Sequence, residues 1–486
     1  MELTLTLTDC FFLSYQQMIL YSAKVVRRLQ HLPFTTIMRD FDRQYDTIVV
    51  GLGAAGTTAA STLARAGKRV LALEAQGRIG GRVNTVPFGD GIVELGAEWI
   101  HGTENSRVYQ AATNASIPVI LGEVTMIAYN PDGSVANSEL VMELVMYGFE
   151  VQGPMDHAEP VGEYVTRKLN EYIKEKYPEL LNNKIFLEQV LTFLNNQVSS
   201  NEATSDWNEV TSASRFQDLG GNQQASWGRA GYKTFFELML NTYKNGTGLP
   251  NLDIKLNTEV TNINYEADDS VTVTCKDGGV YTAGNVIVTV SLGVLKSKYK
   301  TLFTPSLPED KVTAIENLSF GTVDKVIFQF DEIWWPKNIL VFGFLWTNEA
   351  INQIDEKDRV WLGKMHSVSR PEGSSNTLTI WFNGDAARKM ETLPDEEVRS
   401  KCMQVLRMFM GKDKTIPDPV AMLRSAWTLN PFTLGSYSFD SARLASPRAA
   451  RAALRAPLPR VLLAGEAASD DHFSTVHGAA ETGFIA

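Results

Sequence analysis

The stretch Asp46-Thr-Ile-Val-Val-Gly51-Leu-Gly53-Ala-Ala-Gly56, followed by Leu71-Ala-Leu-Glu74 and then Gly77-Arg78-Ile-Gly80-Gly81-Arg82, decides the fold. The apolar run 47–50 reads as a buried parallel strand. Gly51, Gly53 and Gly56, with Ala55 between them, make a tight turn where a pyrophosphate can approach the backbone and the next helix can pack on the sheet. A helix over about 54–66 offers its positive N-terminus to the phosphates. The second strand, 68–73, ends in Glu74, whose carboxylate can accept hydrogen bonds from both hydroxyls of an adenosine ribose and would repel a 2′-phosphate. A glycine-rich turn with no ligand is the bland alternative. Against it, strand, turn, helix, strand and acid follow one another at the roughly twenty-residue spacing of a dinucleotide site.

The second glycine cluster narrows the dinucleotide. Arg78-Ile-Gly80-Gly81-Arg82 supplies two guanidiniums and bare backbone just beyond the ribose-binding acid, which a nicotinamide dehydrogenase does not usually need. Together with Glu94-Leu-Gly96-Ala-Glu98-Trp99-Ile-His101-Gly102, and with Gly465-Glu466-Ala and Ser474-Thr475-Val476-His477-Gly478 at the far end, this pattern resembles the flavin amine oxidases. The resemblance implies FAD held by Gly51, Gly53, Ala55, Gly56, Glu74, Arg78, Gly81, Arg82, Glu98, Trp99, Val260, Gly465, Glu466, Thr475 and Val476. Monoamine oxidases carry a flavin-bonding cysteine in the region matching 426–438, and this chain has none there, so FAD is expected to be non-covalent. A histone demethylase of the family would need an insertion and an extra domain for which the length leaves no room.

Length, charge and cysteine usage set the class. At 486 residues with ordinary apolar and charged fractions, the chain can bury two cores, and disorder and fibres are excluded. The net charge of −11 argues against a nucleic-acid partner and suits a cationic substrate. Cys10, Cys275 and Cys402 have no metal-ligand spacing and the histidines are scattered, so neither a disulfide framework nor a metal site is expected. No apolar run is long enough for a membrane span. Glu2 and Asp9 stand where a signal peptide would be basic, so a cytoplasmic location is expected, with secretion and peroxisomal import as alternatives. Asn114, Asn245 and Asn317 begin glycosylation sequons that would matter only in a secreted chain. Met38 would be a natural opening for this fold, which makes the residues before it an extension. In the family a longer helix follows the His477-Gly-Ala segment, so the closing helix is expected to be truncated.

The expected fold is α/β (α+β), a Rossmann-like FAD-binding domain interleaved with a substrate domain of mixed sheet flanked by helices. The FAD-binding domain is discontinuous over 45–125, 232–300 and 429–486, the substrate domain takes 126–231 and 301–428, and 1–44 is an N-terminal extension. Helical spacing runs through 163–197, and 212–231, rich in Gly, Gln and Ser, reads as a loop. Strands are expected over 254–265, 271–275 and 280–290, with Asp277-Gly278 as a hairpin turn, then over 323–330 and 377–382, and a helix over 395–410.

Lys325 alternates with Val326, Phe328 and Phe330, and on pattern alone a solvent-facing edge lysine is the better reading. The resemblance reverses it. In polyamine oxidases a lysine followed by an aromatic strand and a Trp-Trp-Pro turn, here Trp334-Trp335-Pro336, holds a water against the flavin N5 atom. His101 matches a histidine near the substrate nitrogens, a neutral imidazole that keeps the amine unprotonated, or else caps a loop. Tyr437 matches an aromatic wall of the substrate channel. Glu98, Asp206, Glu209 and Asp218 are candidate acids for a polyamine. The function implied is oxidation of a polyamine, spermine, spermidine or an acetylated form, with O2 as acceptor, giving an aldehyde, a shorter amine and H2O2. An amino-acid oxidase using Arg215, Arg229 or Arg424 as carboxylate clamp and a non-catalytic FAD or amine binder are the rival readings; the oligomeric state is left open.

Overall fold

The strand expected at 47–50 forms over Tyr45–Val50 and sits inside an eight-stranded sheet in this computed structural model, which describes residues 44–152, 158–214 and 216–486. Along the sheet the order is Phe303–Thr304, Val260–Asn264, Val271–Cys275, Val280–Val288, Tyr45–Val50, Val70–Leu73 and Leu252–Lys255. Val280–Val288 is the hub. Its C-terminal half lies parallel to Tyr45–Val50 on one side and to Val461–Leu463 on the other, and its N-terminal half closes an antiparallel hairpin with Val271–Cys275. At that hairpin the Asp277 carboxylate accepts from the Gly279 N–H at 2.9 Å, the turn chemistry expected of Asp-Gly.

Alternation explains why these strands are apolar throughout. Ile48, Val50, Leu71 and Leu73 face one layer of helices, Leu292–Leu302 and Glu309–Asn317, while Val49, Val70 and Ala72 face the other, Ala54–Arg65. A parallel strand covered on both faces has no polar side to show. The last helix, Val476–Ile485, packs on Ala54–Arg65 so closely that a Cβ on Gly483 would stand 2.0 Å from the Ala55 carbonyl oxygen.

A second, six-stranded sheet runs Ala421–Arg424, Val323–Gln329, Thr377–Asn383, Ser367–Ser369, Val341–Phe344 and Met126–Tyr129. One face carries Val326, Phe328, Phe342, Phe344, Ile380 and Phe382 into a core shared with Asp395–Met410. The other face carries Lys325 and Trp381, directly paired across strands. Lys325 is therefore in an interior strand with neighbours on both sides, not at an edge, and is 2% exposed.

The helices expected over 163–197 form, and one strand expectation is corrected. The helical stretch 163–197 is three pieces, Val161–Lys176, the 3-10 turn Pro178–Asn182 and Lys184–Asn201, because Pro178 cannot continue a helix and Asn183 caps the next one by accepting from Phe186 N. The run 254–265 is two strands, Leu252–Lys255 and Val260–Asn264, in different parts of the sheet, with Asn257 at φ +54° between them. The loop 212–231 also contributes Ala225–Ser226 to a small sheet with Trp99–Ile100 and Ile120–Leu121. Residues 1–43, Cys10 among them, and Arg215 lie outside the described residues. Among the described residues no helix is long and apolar enough to cross a membrane.

Candidate active site

A cavity of about 930 Å³ starts at the C-terminal ends of the parallel strands, beside Gly51 and Thr289, and reaches the Lys325 face of the second sheet. Gly51, Gly53, Ala55, Glu74, Gly81, Arg82, Glu98, Trp99, His101, Val260, Lys325, Tyr437, Gly465, Glu466, Thr475 and Val476 all line it. Gly56 and Arg78 do not. A Cβ on Gly56 would lie 1.9 Å from the Gly51 carbonyl oxygen, so this glycine seats the helix on its strand. The Arg78 guanidinium turns back to donate to the Gly81 and Val83 carbonyls at 2.6 and 2.9 Å, which shapes the second glycine loop.

The dinucleotide end is built from backbone and two helix starts. Gly51 has φ +92°, a conformation open to glycine, and the Leu52 N–H that follows donates to Glu74 Oε2 at 2.7 Å, while Gln76 N–H donates to Oε1 at 2.8 Å. Each carboxylate oxygen keeps a further lone pair for a ribose hydroxyl. The helices Ala54–Arg65 and Val476–Ile485 both begin at the cavity, and two positive helix ends suit two phosphates. Arg82 joins the two distant motifs, donating to Glu466 Oε1 at 2.9 Å and to the Ser436 carbonyl at 2.6 Å. Burial works against ionisation of Glu466, but Arg82, Ser438 and Arg451 outweigh it and hold its carboxyl below the usual range. Bare backbone, acid and arginine fit a flavin dinucleotide.

At the other end Lys325 donates to Glu98 Oε2 at 2.7 Å and to the Glu94 carbonyl at 2.9 Å, with its ammonium 4.2 Å from the centre of the Trp381 ring. An ammonium has three donors, so one remains for a water or a ligand atom. Burial pushes the Glu94 carboxyl up to about 7, although Tyr232 N–H and the Thr85 hydroxyl donate to it. His101 opens onto the cavity, and its Nδ1 lies 3.0 Å from the Gln223 carbonyl oxygen. A carbonyl accepts only, so Nδ1 carries the proton and Nε2 is an acceptor to which no donor is found among the described residues. The surrounding protein holds the ring below the ordinary histidine pKa. His101 is thus both loop-bound and available. Tyr437 donates its hydroxyl to the Ser200 carbonyl at 2.9 Å, and burial with the nearby Glu202 and Glu466 raises its pKa.

Comparison with known proteins meets this geometry from outside it. A family model described as "Flavin containing amine oxidoreductase" matches residues 54–486. The chain belongs to the flavin-containing amine oxidoreductases. Polyamine oxidase 4 of Oryza sativa subsp. japonica is 31% identical, over 93% of this chain and 89% of the relative. The peroxisomal N(1)-acetyl-spermine/spermidine oxidases of Homo sapiens and Bos taurus are 29% and 28% identical, each over 90% of this chain and 93% of the relative. The cofactor of this amine oxidoreductase is FAD.

Several side chains in and behind this cavity were not legible in the sequence. Glu202, just past the end of helix Lys184–Asn201, lines the cavity, and no donor to its carboxylate is found among the described residues. Burial and the neighbouring Asp440 push it up to about 7. Of the four candidate acids, Glu98 and Asp218 line the cavity, but Glu98 is taken by Lys325. Asp206 caps the turn Trp207–Glu209, and neither it nor Glu209 lines the cavity. Arg229 is paired with Asp90 and Arg424 with Asp395, and neither lines the cavity either. Beneath Lys325, burial, followed by the neighbouring Glu391 carboxylate, raises the Asp324 carboxyl well above the usual carboxylate range. Together they accept from the N–H groups of Trp427, Thr428 and Leu429 at 3.1, 2.8 and 2.8 Å, fixing the segment that leads to Tyr437.

Proposed function

We propose that this chain oxidises a polyamine at a carbon beside a secondary nitrogen, with O2 as acceptor, and that Glu202, His101, Tyr437 and Lys325 are the working side chains. The observation that carries the reading is that one cavity joins the FAD cradle to the buried Lys325–Glu98 pair and to the Glu202 carboxylate. Bound FAD would take a hydride at N5 and pass the electrons to O2 as H2O2.

Everything else falls to the protein. Glu202, when ionised, draws the cationic amine to the reacting end of the cavity. His101 Nε2 accepts from the amine and keeps one nitrogen neutral, since a protonated nitrogen has no lone pair to assist hydride loss. The Tyr437 ring is held in place by its bond to Ser200 and offers a flat wall that aligns the chain. The third donor of Lys325 orients a water, and its positive charge stabilises negative charge that develops during reoxidation. The product imine hydrolyses to an aldehyde and a shorter amine.

We assign FAD binding to 45–125, 232–300 and 429–486 and substrate binding to 126–231 and 301–428. None of the three cysteines is among the described residues that line the cavity, which supports non-covalent FAD. The two described cysteines are free and buried, which supports the cytoplasm, with peroxisomal import as the alternative that fractionation would reveal. Peroxide release from the FAD-loaded protein, tried with spermine, spermidine, acetylated forms, monoamines and L-amino acids, tests the function. Turnover confined to polyamines upholds it, and turnover confined to amino acids overturns it.

A further inference from the structure

Among the described residues, three ion pairs have both partners on the wall of the cavity: Lys325–Glu98, Arg82–Glu466 and Lys298–Glu259. The first lies at the reacting end and the second joins the two FAD motifs. The third lies beside Glu74, whose carbonyl accepts from the Thr258 N–H at 2.8 Å. The Glu74 carboxylate suits the ribose, so the space beyond it belongs to the adenine end of the dinucleotide.

Two walls face each other there. Helix Leu292–Leu302 turns Val294, Lys298 and Leu302 to the cavity, every fourth residue along one face, so the cavity follows the helix for about 12 Å at ~1.5 Å per residue. The other wall is Thr258, Glu259 and Val260, at the start of strand Val260–Asn264. The register of that strand with Val271–Cys275 shifts just after Val260, a bulge of the kind that re-aims a strand at the rim of a site. Val294 and Leu302 are buried, whereas the side chains of Lys298 and Glu259 are 34% and 17% exposed. The cavity therefore approaches solvent between these two side chains, and their contact, Nζ to Oε1 at 2.6 Å, spans the gap. Glu259 Oε2 accepts from Lys276 at 3.0 Å, and this second lysine is well exposed and does not line the cavity. It fixes the carboxylate in the position where Lys298 meets it.

An adenine is uncharged and needs no counter-ion, so a charged pair at its end of the cleft suits closure better than recognition. An ion pair this exposed is also weak enough to open, and salt screens it. We propose that Lys298 and Glu259 form a latch across the adenine end of the cleft, and that FAD enters and leaves through the gap they close. The latch retains the cofactor and takes no part in the oxidation, so it holds whichever amine the flavin oxidises.

The test follows FAD release from the FAD-loaded protein by the rise in flavin fluorescence after dilution. Lys298→Ala and Glu259→Gln are each expected to speed release at low salt by about three- to fivefold, the upper range for a partly exposed ion pair. Added salt speeds release from the parent and leaves these two variants nearly unchanged. Lys298→Arg, which keeps the charge, is expected to hold the parent's rate, and Lys276→Ala, which leaves the gap closed, to change it by less than about twofold. Melting temperatures of the apoproteins separate a latch from a brace of the fold, and are expected to match across the set. Release at the parent's rate from both Lys298→Ala and Glu259→Gln overturns the latch. So does faster release accompanied by a lower apoprotein melting temperature, or equal acceleration by Lys276→Ala.

Discussion

Lys325 and Glu202 put opposite demands on their surroundings. Lys325→Met removes the charge and the third donor, and we expect peroxide turnover to fall by about a hundredfold or more. The same change leaves Glu98 buried without its partner, at a cost of about 3–5 kcal/mol. Adding Glu98→Gln should therefore restore the melting temperature but not the turnover, a pattern that a merely structural pair would not show. Glu202, pushed up to about 7, is neutral in mild acid and charged above neutrality, so kcat/KM for a cationic amine rises as pH passes through about 7. Glu202→Gln flattens that limb and raises KM. The stability effect has the opposite sign. The folded pKa lies above the unfolded one, so the unfolded chain ionises first, and stability present at pH 4 is lost as pH rises through about 7. Glu202→Gln should melt higher than the parent at pH 8 and nearly alike at pH 4, with Glu94, also near 7, keeping its own slope.

At the scale of elements, two junctions carry the site. Glu391→Ala strips the acceptors from Thr428 and Leu429 N–H, at about 1–3 kcal/mol for each group left unpaired, and releases the segment that holds Trp427. A lower denaturant midpoint and a higher KM are expected together. Gly56→Ala drives a Cβ into the Gly51 carbonyl, and the purified variant should hold less flavin per mole of protein. The glycine turn, the Asp-Gly hairpin and the helix Asp395–Met410 were legible in the chain because each is set by neighbours a few residues apart. Lys325 was half legible: alternation showed its face, but only Thr377–Asn383 and Ala421–Arg424, paired on either side, make its strand interior. Glu202 was not legible. It follows the polar string Ser199-Ser200-Asn201, which looks like a solvated helix end, and it is enclosed only because Tyr437 and Asp440 return to it from far along the chain. Asp206 and Glu209, close by in sequence, do not line the cavity.

For the whole molecule the cofactor acts as a clamp. FAD would touch both sides of the Arg82–Glu466 pair and both helix starts, so the holoprotein should outlast the apoprotein by about 2.7 kcal/mol at a hundredfold excess of free FAD over Kd, read as a shift in melting temperature. Acid precipitation should leave the yellow colour in the supernatant, and colour retained in the pellet would contradict a non-covalent flavin. Amine chemistry at this cavity is the claim on which the rest depends, and it is tested most directly by mixing the FAD-loaded protein with polyamines in the absence of air and following the flavin absorbance. We expect bleaching with a polyamine, restored colour and one H2O2 per flavin on readmission of air, and bleaching lost or greatly slowed in Lys325→Met. A flavin that stays bound and fully coloured with every polyamine, capped or free, would contradict it.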